Sequence, residues 1–196
     1  MSQELSVRQK EIVDQATVLI TEKGIQNLTI KRLAKKMGFS EPAIYRHFPG
    51  KTEILLAIIG LFEEKSSQSM HDHQMLDGSF SDSLKFMFTK HIGLFANNPT
   101  YATVIFSEEL FRNDPQLIGK MQAIMNRNEQ NILMLVDRAK HQGDIRQDID
   151  GNGLTLMIMG GMRLLVKKWV LDDFSSNLET EISKLHETII KLSTKG

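Results

Sequence analysis

The run Thr29-Ile-Lys-Arg-Leu-Ala-Lys-Lys-Met-Gly-Phe-Ser-Glu-Pro-Ala-Ile-Tyr-Arg-His-Phe-Pro-Gly-Lys51 decides how the amino-terminal part of this chain folds. Thr29 is an N-cap residue type, and Leu28 and Leu33 flank it at the spacing of a hydrophobic staple. Leu33, Ala34 and Met37 then share one helical face, and Gly38 stops the helix. Ser40 opens a second, short helix, with Phe39 and Ile44 in the same staple relation and Pro42 in its first turn. Two short helices joined by a tight glycine turn describe a helix-turn-helix from about Thr29 to Phe48. In that geometry the first helix braces the second, whose exposed residues enter a DNA major groove while Ile44 and Phe48 pack inward. The outward positions are Glu41, Pro42, Ala43, Tyr45, Arg46 and His47.

Charge points the same way. The 196 residues carry 24 Lys and Arg against 24 Asp and Glu, so the net charge is zero. That balance hides an asymmetry. Residues 1–51 hold nine basic and five acidic side chains, and Leu28–Lys51 alone holds six basic against Glu41. A basic patch on a neutral protein fits a polyanion met by one part of the surface, although a solvated Lys-rich face reads alike on charge alone.

Working outward, apolar residues recur at helical spacing nearly everywhere and no segment alternates at period two. The expectation is an all-α chain of about nine helices. The first spans roughly Val7–Lys23, with Ile12, Val13, Ala16, Leu19 and Ile20 on one face and Gly24 as its stop. A fourth begins near Gly50–Lys51, lined by Ile54, Leu55, Ile58, Ile59 and Phe62, with Glu53 near the positive end of its dipole. The polar stretch His71–Ser81, with Asp77-Gly78-Ser79, reads as a loop between two regions. Further helices are expected near Ser81–Ala96, Thr100–Arg112, Pro115–Gln142, Gly153–Leu171 and Leu178–Leu192. The division is thus a helix-turn-helix domain over 1–52, a connecting helix over about 51–70, and a helical domain over 53–196.

The Thr29–Lys51 run strongly resembles the TetR/AcrR family of one-component transcriptional regulators. The resemblance rests on a Thr-led helix, Leu-Ala-x-x-x-Gly, then Ile-Tyr-x-His-Phe and a Lys soon after, and its close part covers about Arg8–Leu61. It implies a TetR-like fold: a three-helix DNA-binding head followed by a helical bundle for ligand binding and dimerisation. It also implies roles. Tyr45, His47 and Lys51 stand where the family meets the phosphate backbone, and Thr29 caps a helix whose free N–H groups face a phosphate. Lys31, Ser40, Glu41, Pro42, Ala43 and Arg46 stand where the family reaches bases or nearby backbone. Arg46 has the fork for a guanine, and Ala43 the methyl for a thymine. Glu41 either accepts from a cytosine amino group or is simply an acid at a helix start. Ile30, beside Lys31, is apolar where some relatives carry a polar contact.

The second half carries two further patterns. Leu154–Leu171 is apolar nearly all round, and Leu178, Ile182, Leu185, Ile189 and Leu192 step as an a/d seam. With Leu154, Ile158 and Leu165 these positions are the expected homodimer interface, two helices per chain forming a four-helix bundle as the resemblance implies; the other reading is that they serve only the chain's own core. Gly160-Gly161 would let backbones approach. Phe86, Phe88, Phe95, Phe106, Met121, Met125, Met134, Met157 and Trp169 are candidates for an apolar effector pocket, with His91, Glu108 and Arg163 as polar anchors. Met and aromatic residues at this spacing are more often core filler.

The remaining chemistry is quickly weighed. Without a single Cys there is no thiolate site and no disulfide framework. No signal-type or membrane-spanning apolar run occurs, so a cytoplasmic protein without a membrane partner is expected. His71-x-His73 near Asp77 reads as solvated loop and not as a metal site. There is no Gly-rich phosphate loop and no nucleophile–base set, so neither enzyme activity nor a cofactor is expected. The function expected is a homodimeric regulator, most simply a repressor, on a quasi-palindromic double-stranded operator with half-sites about 34 Å or a small multiple apart. A small, largely apolar effector would release it, and a 100-fold loss of operator affinity needs roughly 2.7 kcal/mol of coupling. The alternative is a dimeric helical module acting through a protein partner.

Overall fold

The computed structural model of the chain describes residues 5–74, 78–111 and 114–194; the side chains of 68–74, 108 and 109 also lie outside the described set. Among these residues the chain is all helical. The elements are α1 (Val7–Lys23), a 3-10 turn (Ile25–Asn27), α2 (Ile30–Met37), α3 (Glu41–Tyr45), α4 (Lys51–Gln74), α5 (Phe80–Asn97), α6 (Pro99–Ile105), α7 (Glu108–Phe111), α8 (Pro115–Gln142), α9 (Gly151–Leu171) and α10 (Leu178–Ser193). They form two compact units: Met1–Glu64 with Asn98–Met121, and Lys65–Asn97 with Gln122–Gly196.

The first unit begins with a reciprocal cap: Gln9 N donates to Ser6 Oγ and Ser6 N to Gln9 Oε1, so α1 opens with two amides satisfied by side chains. The α1 face Ile12, Val13, Ala16, Leu19 and Ile20 is buried, as its spacing predicts. Leu33 and Ala34 of α2, Ile44 of α3, Phe48, and Ile54, Leu55, Ile58, Ile59 and Phe62 of α4 are buried as well. Phe62 meets Tyr101 edge-on at 5.6 Å, tying α6 to α4. The turn between α2 and α3 depends on Gly38, whose φ of 68° and ψ of 27° are left-handed. Phe39 N reaches back to Ala34 O at 2.9 Å and closes the helix end in Schellman fashion.

Asp114 joins two helix starts in this unit. Its Oδ1 accepts from Gln116 N and Leu117 N, capping α8, while Oδ2 accepts from Thr52 Oγ1 of α4 at 2.6 Å. The Thr52 hydroxyl first, and then the two α8 amides, hold the Asp114 carboxyl below its ordinary pKa. Further along, Lys120 pairs with Glu63.

In the second unit α10 packs on α5 and α9. Asp150 caps α9 by accepting from Gly153 N at 2.7 Å, and Asn177 caps α10 by accepting from Thr180 N at 2.9 Å. Phe80 N donates to Asp144 at 2.7 Å, and His186 Nε2 donates to Ser81 O at 2.9 Å. A Cβ built on Gly161 would lie 2.9 Å from Leu185 Cδ2, so glycine there lets α9 and α10 close on one another inside a single chain. Gly160 faces open space.

Three sequence expectations change. The helix expected over Thr100–Arg112 is two, because the chain turns at Phe106 and Ser107 before α7; Arg112 lies outside the described residues. No Gly or Pro marks that break, so composition could not show it. The loop expected from His71 begins later, since α4 continues to Gln74; His71 and His73 are therefore helical in backbone, and Asp77 lies outside the described residues. Ser40 occupies the N-cap of α3, but its side chain makes no cap hydrogen bond.

Candidate nucleic-acid interface

The helix-turn-helix expected from sequence is present as α2 and α3, and its outward residues are where the spacing puts them. Glu41, Pro42, Tyr45 and Arg46 are exposed, and Ala43 and His47 half-buried, around the single buried anchor Ile44. Tyr45 keeps half of its surface open, enough for its phenol to meet a partner. Thr29 and Lys31 are exposed at the start of α2, with the Thr29 hydroxyl accepting from Arg32 N at 3.2 Å. That bond satisfies one amide of the α2 start and leaves the rest of the turn for an anion.

Lys51 is the least open of the expected contacts. It is half-buried, and its Nζ donates to Ile25 O on the 3-10 turn at 3.3 Å. Burial lowers its pKa from the ordinary lysine value. The ammonium thus ties the start of α4 to the turn between α1 and α2.

Two residues that sequence reasoning missed touch this surface from α1. Gln9 Nε2 donates to the His47 carbonyl at 3.1 Å, and the Arg8 guanidinium lies 5.1 Å from the Phe39 ring centroid. The Ser6-x-x-Gln9 spacing of a capping box was the available signal for the first. Of the other cations on α2, Lys36 pairs with Glu22 at 2.9 Å while Lys31, Arg32 and Lys35 are exposed.

Residues 12–58 match the family described as "Bacterial regulatory proteins, tetR family", and residues 57–192 match the "YsiA-like protein, C-terminal region". The second match alone spans more than half of the chain. This chain belongs to the TetR family. The TetR-family chain is 26% identical over 190 residues to the fatty acid metabolism regulator protein of Bacillus subtilis, covering 95% of this chain and 93% of that one. It is 22% identical over 168 residues to the nucleoid occlusion factor SlmA of Vibrio cholerae, covering 85% and 86%. Its fold is that of the transcriptional regulator FadR from Bacillus subtilis, solved in complex with stearoyl-CoA, with a TM-score of 0.75, 24% identity and coverage of 94% and 98%. As a TetR-family protein the chain is a DNA-binding transcriptional regulator and not an enzyme. No helix among the described residues is long and apolar enough to cross a membrane.

The pocket candidates fall in both units. Phe106 and Met121 are buried in the first, while Phe86, His91, Phe95, Met125, Met157 and Trp169 belong to the second. Phe95 is buried and meets the His91 ring edge-on at 5.3 Å; burial drives the His91 imidazole down to about 4, so it is neutral at pH 7. Trp169 is buried against Phe174 at 4.8 Å, and Lys90 Nζ lies over the Phe86 ring at 5.3 Å. Met125, Met134 and Met157 are exposed instead of lining an interior. Arg163 is exposed, and the Glu108 side chain lies outside the described residues. Two half-open grooves occur in the second unit. One, of about 220 Å³, is bordered by Lys85, Phe88, Ile182 and His186 between α5 and α10. The other, of about 190 Å³, lies by Leu165, Asp172 and Leu178 between α9 and α10.

The expected interface residues separate by face. Leu154, Ile158, Leu178, Ile182 and Ile189 are buried within the single chain, Leu165 and Leu185 are half-buried, and only Leu192 is exposed. What α9 leaves open is another row, Met157, Leu164 and Leu171, which are 55%, 60% and 72% exposed and seven residues apart. Leu156 is exposed beside them.

Proposed function

We propose that the chain is a homodimeric repressor that binds a quasi-palindromic operator and is released by a long-chain acyl thioester. The observation that carries the DNA half is the α3 surface: Glu41, Pro42, Tyr45 and Arg46 stand clear of a core that fixes Ile44 and Phe48, within a strongly basic stretch. Phosphate contacts from Thr29, Tyr45 and His47 would set register, with Arg46 reading a base edge. Lys51 serves the same backbone contact through the ammonium protons that the Ile25 carbonyl does not take.

For the dimer, the Met157–Leu164–Leu171 row supports a partner chain on the outer face of α9, and Leu192 of α10 is exposed as well. Apolar side chains at heptad spacing are what a second helix covers. The functional division proposed is a DNA-binding head over 1–52 and an effector and dimerisation region over 53–196. For the effector, the support is the likeness to a fatty acid metabolism regulator and to a FadR solved with stearoyl-CoA. An acyl chain matches the apolar bundle of α5, α8, α9 and α10.

Selection of bound fragments from native genomic DNA tests the first half, and titration of the bound fragment with stearoyl-CoA tests the second. Retention of an inverted-repeat sequence, lost as the thioester is added, is the expected result. Retention of nothing at low salt would favour the protein-partner alternative, and release by free CoA as readily as by the acyl form would remove the apolar effector.

A further inference from the structure

We propose that Gln9 is a positioning residue for DNA binding, holding the carboxyl end of the recognition helix so that Tyr45 and His47 meet the phosphate backbone. The inference rests on the reading of α2 and α3 as the DNA-binding surface.

The recognition helix needs such a brace. It has five residues, one buried anchor in Ile44, and no side-chain hydrogen bond at its Ser40 cap. A helix so short is not stable by itself. The first turn of α1 touches the chain on both sides of it. Arg8 lies over Phe39, the residue before the Ser40 cap, and Gln9 Nε2 donates to the carbonyl of His47, two residues past the last residue of α3.

The chemistry of Gln9 explains why an amide stands there. Ser6 N requires an acceptor and the His47 carbonyl requires a donor, so the two ends of one side-chain amide are assigned by their partners. Glutamate at this position would complete the same capping box. It would have no proton for the His47 carbonyl and would set a carboxylate against it. The cap and the brace are therefore separable by one substitution.

Gln9→Glu, made in the full chain, should lower the melting temperature by only about 2–4 °C, the scale of one lost hydrogen bond, because the cap survives. Its affinity for the genomically selected fragment should fall roughly five- to tenfold at fixed salt, the scale of one lost hydrogen bond. Base preference should change only at the position that Arg46 reads, since Arg46 lies between Tyr45 and His47 at the same end of the helix. The added negative charge is controlled by repeating the substitution in a Tyr45→Phe, His47→Ala background, which keeps the His47 carbonyl and removes both phosphate contacts. If Gln9 acts through the His47 end of the helix, the second loss is much smaller than the first. Equal losses in both backgrounds, a base preference altered away from the Arg46 position, or undiminished affinity would overturn the proposal while the DNA-binding reading stands. Wild-type protein that retains no fragment would overturn that reading and this inference with it.

Discussion

The helix-turn-helix and the α9–α10 pair are written in the same language of apolar spacing, yet the language settles more in one than in the other. Around α3 only one side is apolar, so Ile44 goes inward and the polar remainder is exposed by elimination. On α9 apolar residues run nearly all round, and two rows compete for the name of interface. Of the row Leu154, Ile158 and Leu165, the first two are buried inside the chain with Leu178, Ile182 and Ile189 of α10 and Leu165 is half-buried; the row Met157, Leu164 and Leu171 is exposed. Periodicity says that a face is covered. It does not say by which chain.

That contrast breaks most readily at the outer row. Met157→Glu with Leu164→Glu should dissociate the dimer by roughly 100-fold or more in equilibrium sedimentation, since two carboxylates cannot be desolvated there without partners. The monomer should keep its helical signal. If the double variant stays dimeric, the outer row is not the interface.

The inner row answers to a different assay. Ile182→Ala should lower unfolding free energy by about 2–5 kcal/mol in a denaturant titration, through a cavity between α10 and its neighbours. Dimer affinity should follow only weakly. A loss of association without a loss of stability would exchange the roles of the two rows.

Within the second unit, His91 sharpens the account of what is interior. Its imidazole titrates at about 4 in the folded chain against 6.5 when unfolded, so on acidification the unfolded state takes the proton first. The contribution is intact above pH 6.5, is lost as pH falls from 6.5 to 4, and is constant below. His91→Gln should flatten that part of the stability–pH curve relative to wild type. Identical curves would place the ring in water.

The smallest effect belongs to the first unit. Asp114→Ala removes both the α8 cap and the Thr52 hydrogen bond, and should lower the midpoint of thermal unfolding. Thr52→Ala should reproduce only part of that loss.

Much of this was legible in the sequence. The bounds of α1, the caps at Thr29 and Gly38, the staple residues Leu28 and Leu33 and the exposed side of α3 follow from local rules, because each depends on residues within one or two turns. The break at Phe106 was not legible, since it has no Gly or Pro and depends on how α6 packs. Gln9 escaped because its partner at His47 is 38 residues away. The sequence places Lys51 at a phosphate contact, and only the fold reveals the Ile25 carbonyl within its reach. Met125 and Met157 were grouped with buried aromatics by residue type, which does not record the side of the helix on which each falls.

The central claim is that α3 reads bases through Arg46 while its neighbours hold phosphate. Parallel selection of random DNA by wild type and by Arg46→Ala, at matched salt, tests it most directly. The account predicts an inverted-repeat motif for wild type, and for the variant the same motif with one symmetry-related pair of positions degenerate, at a cost of about 1–3 kcal/mol for the original sequence. An unchanged motif with undiminished affinity would contradict it.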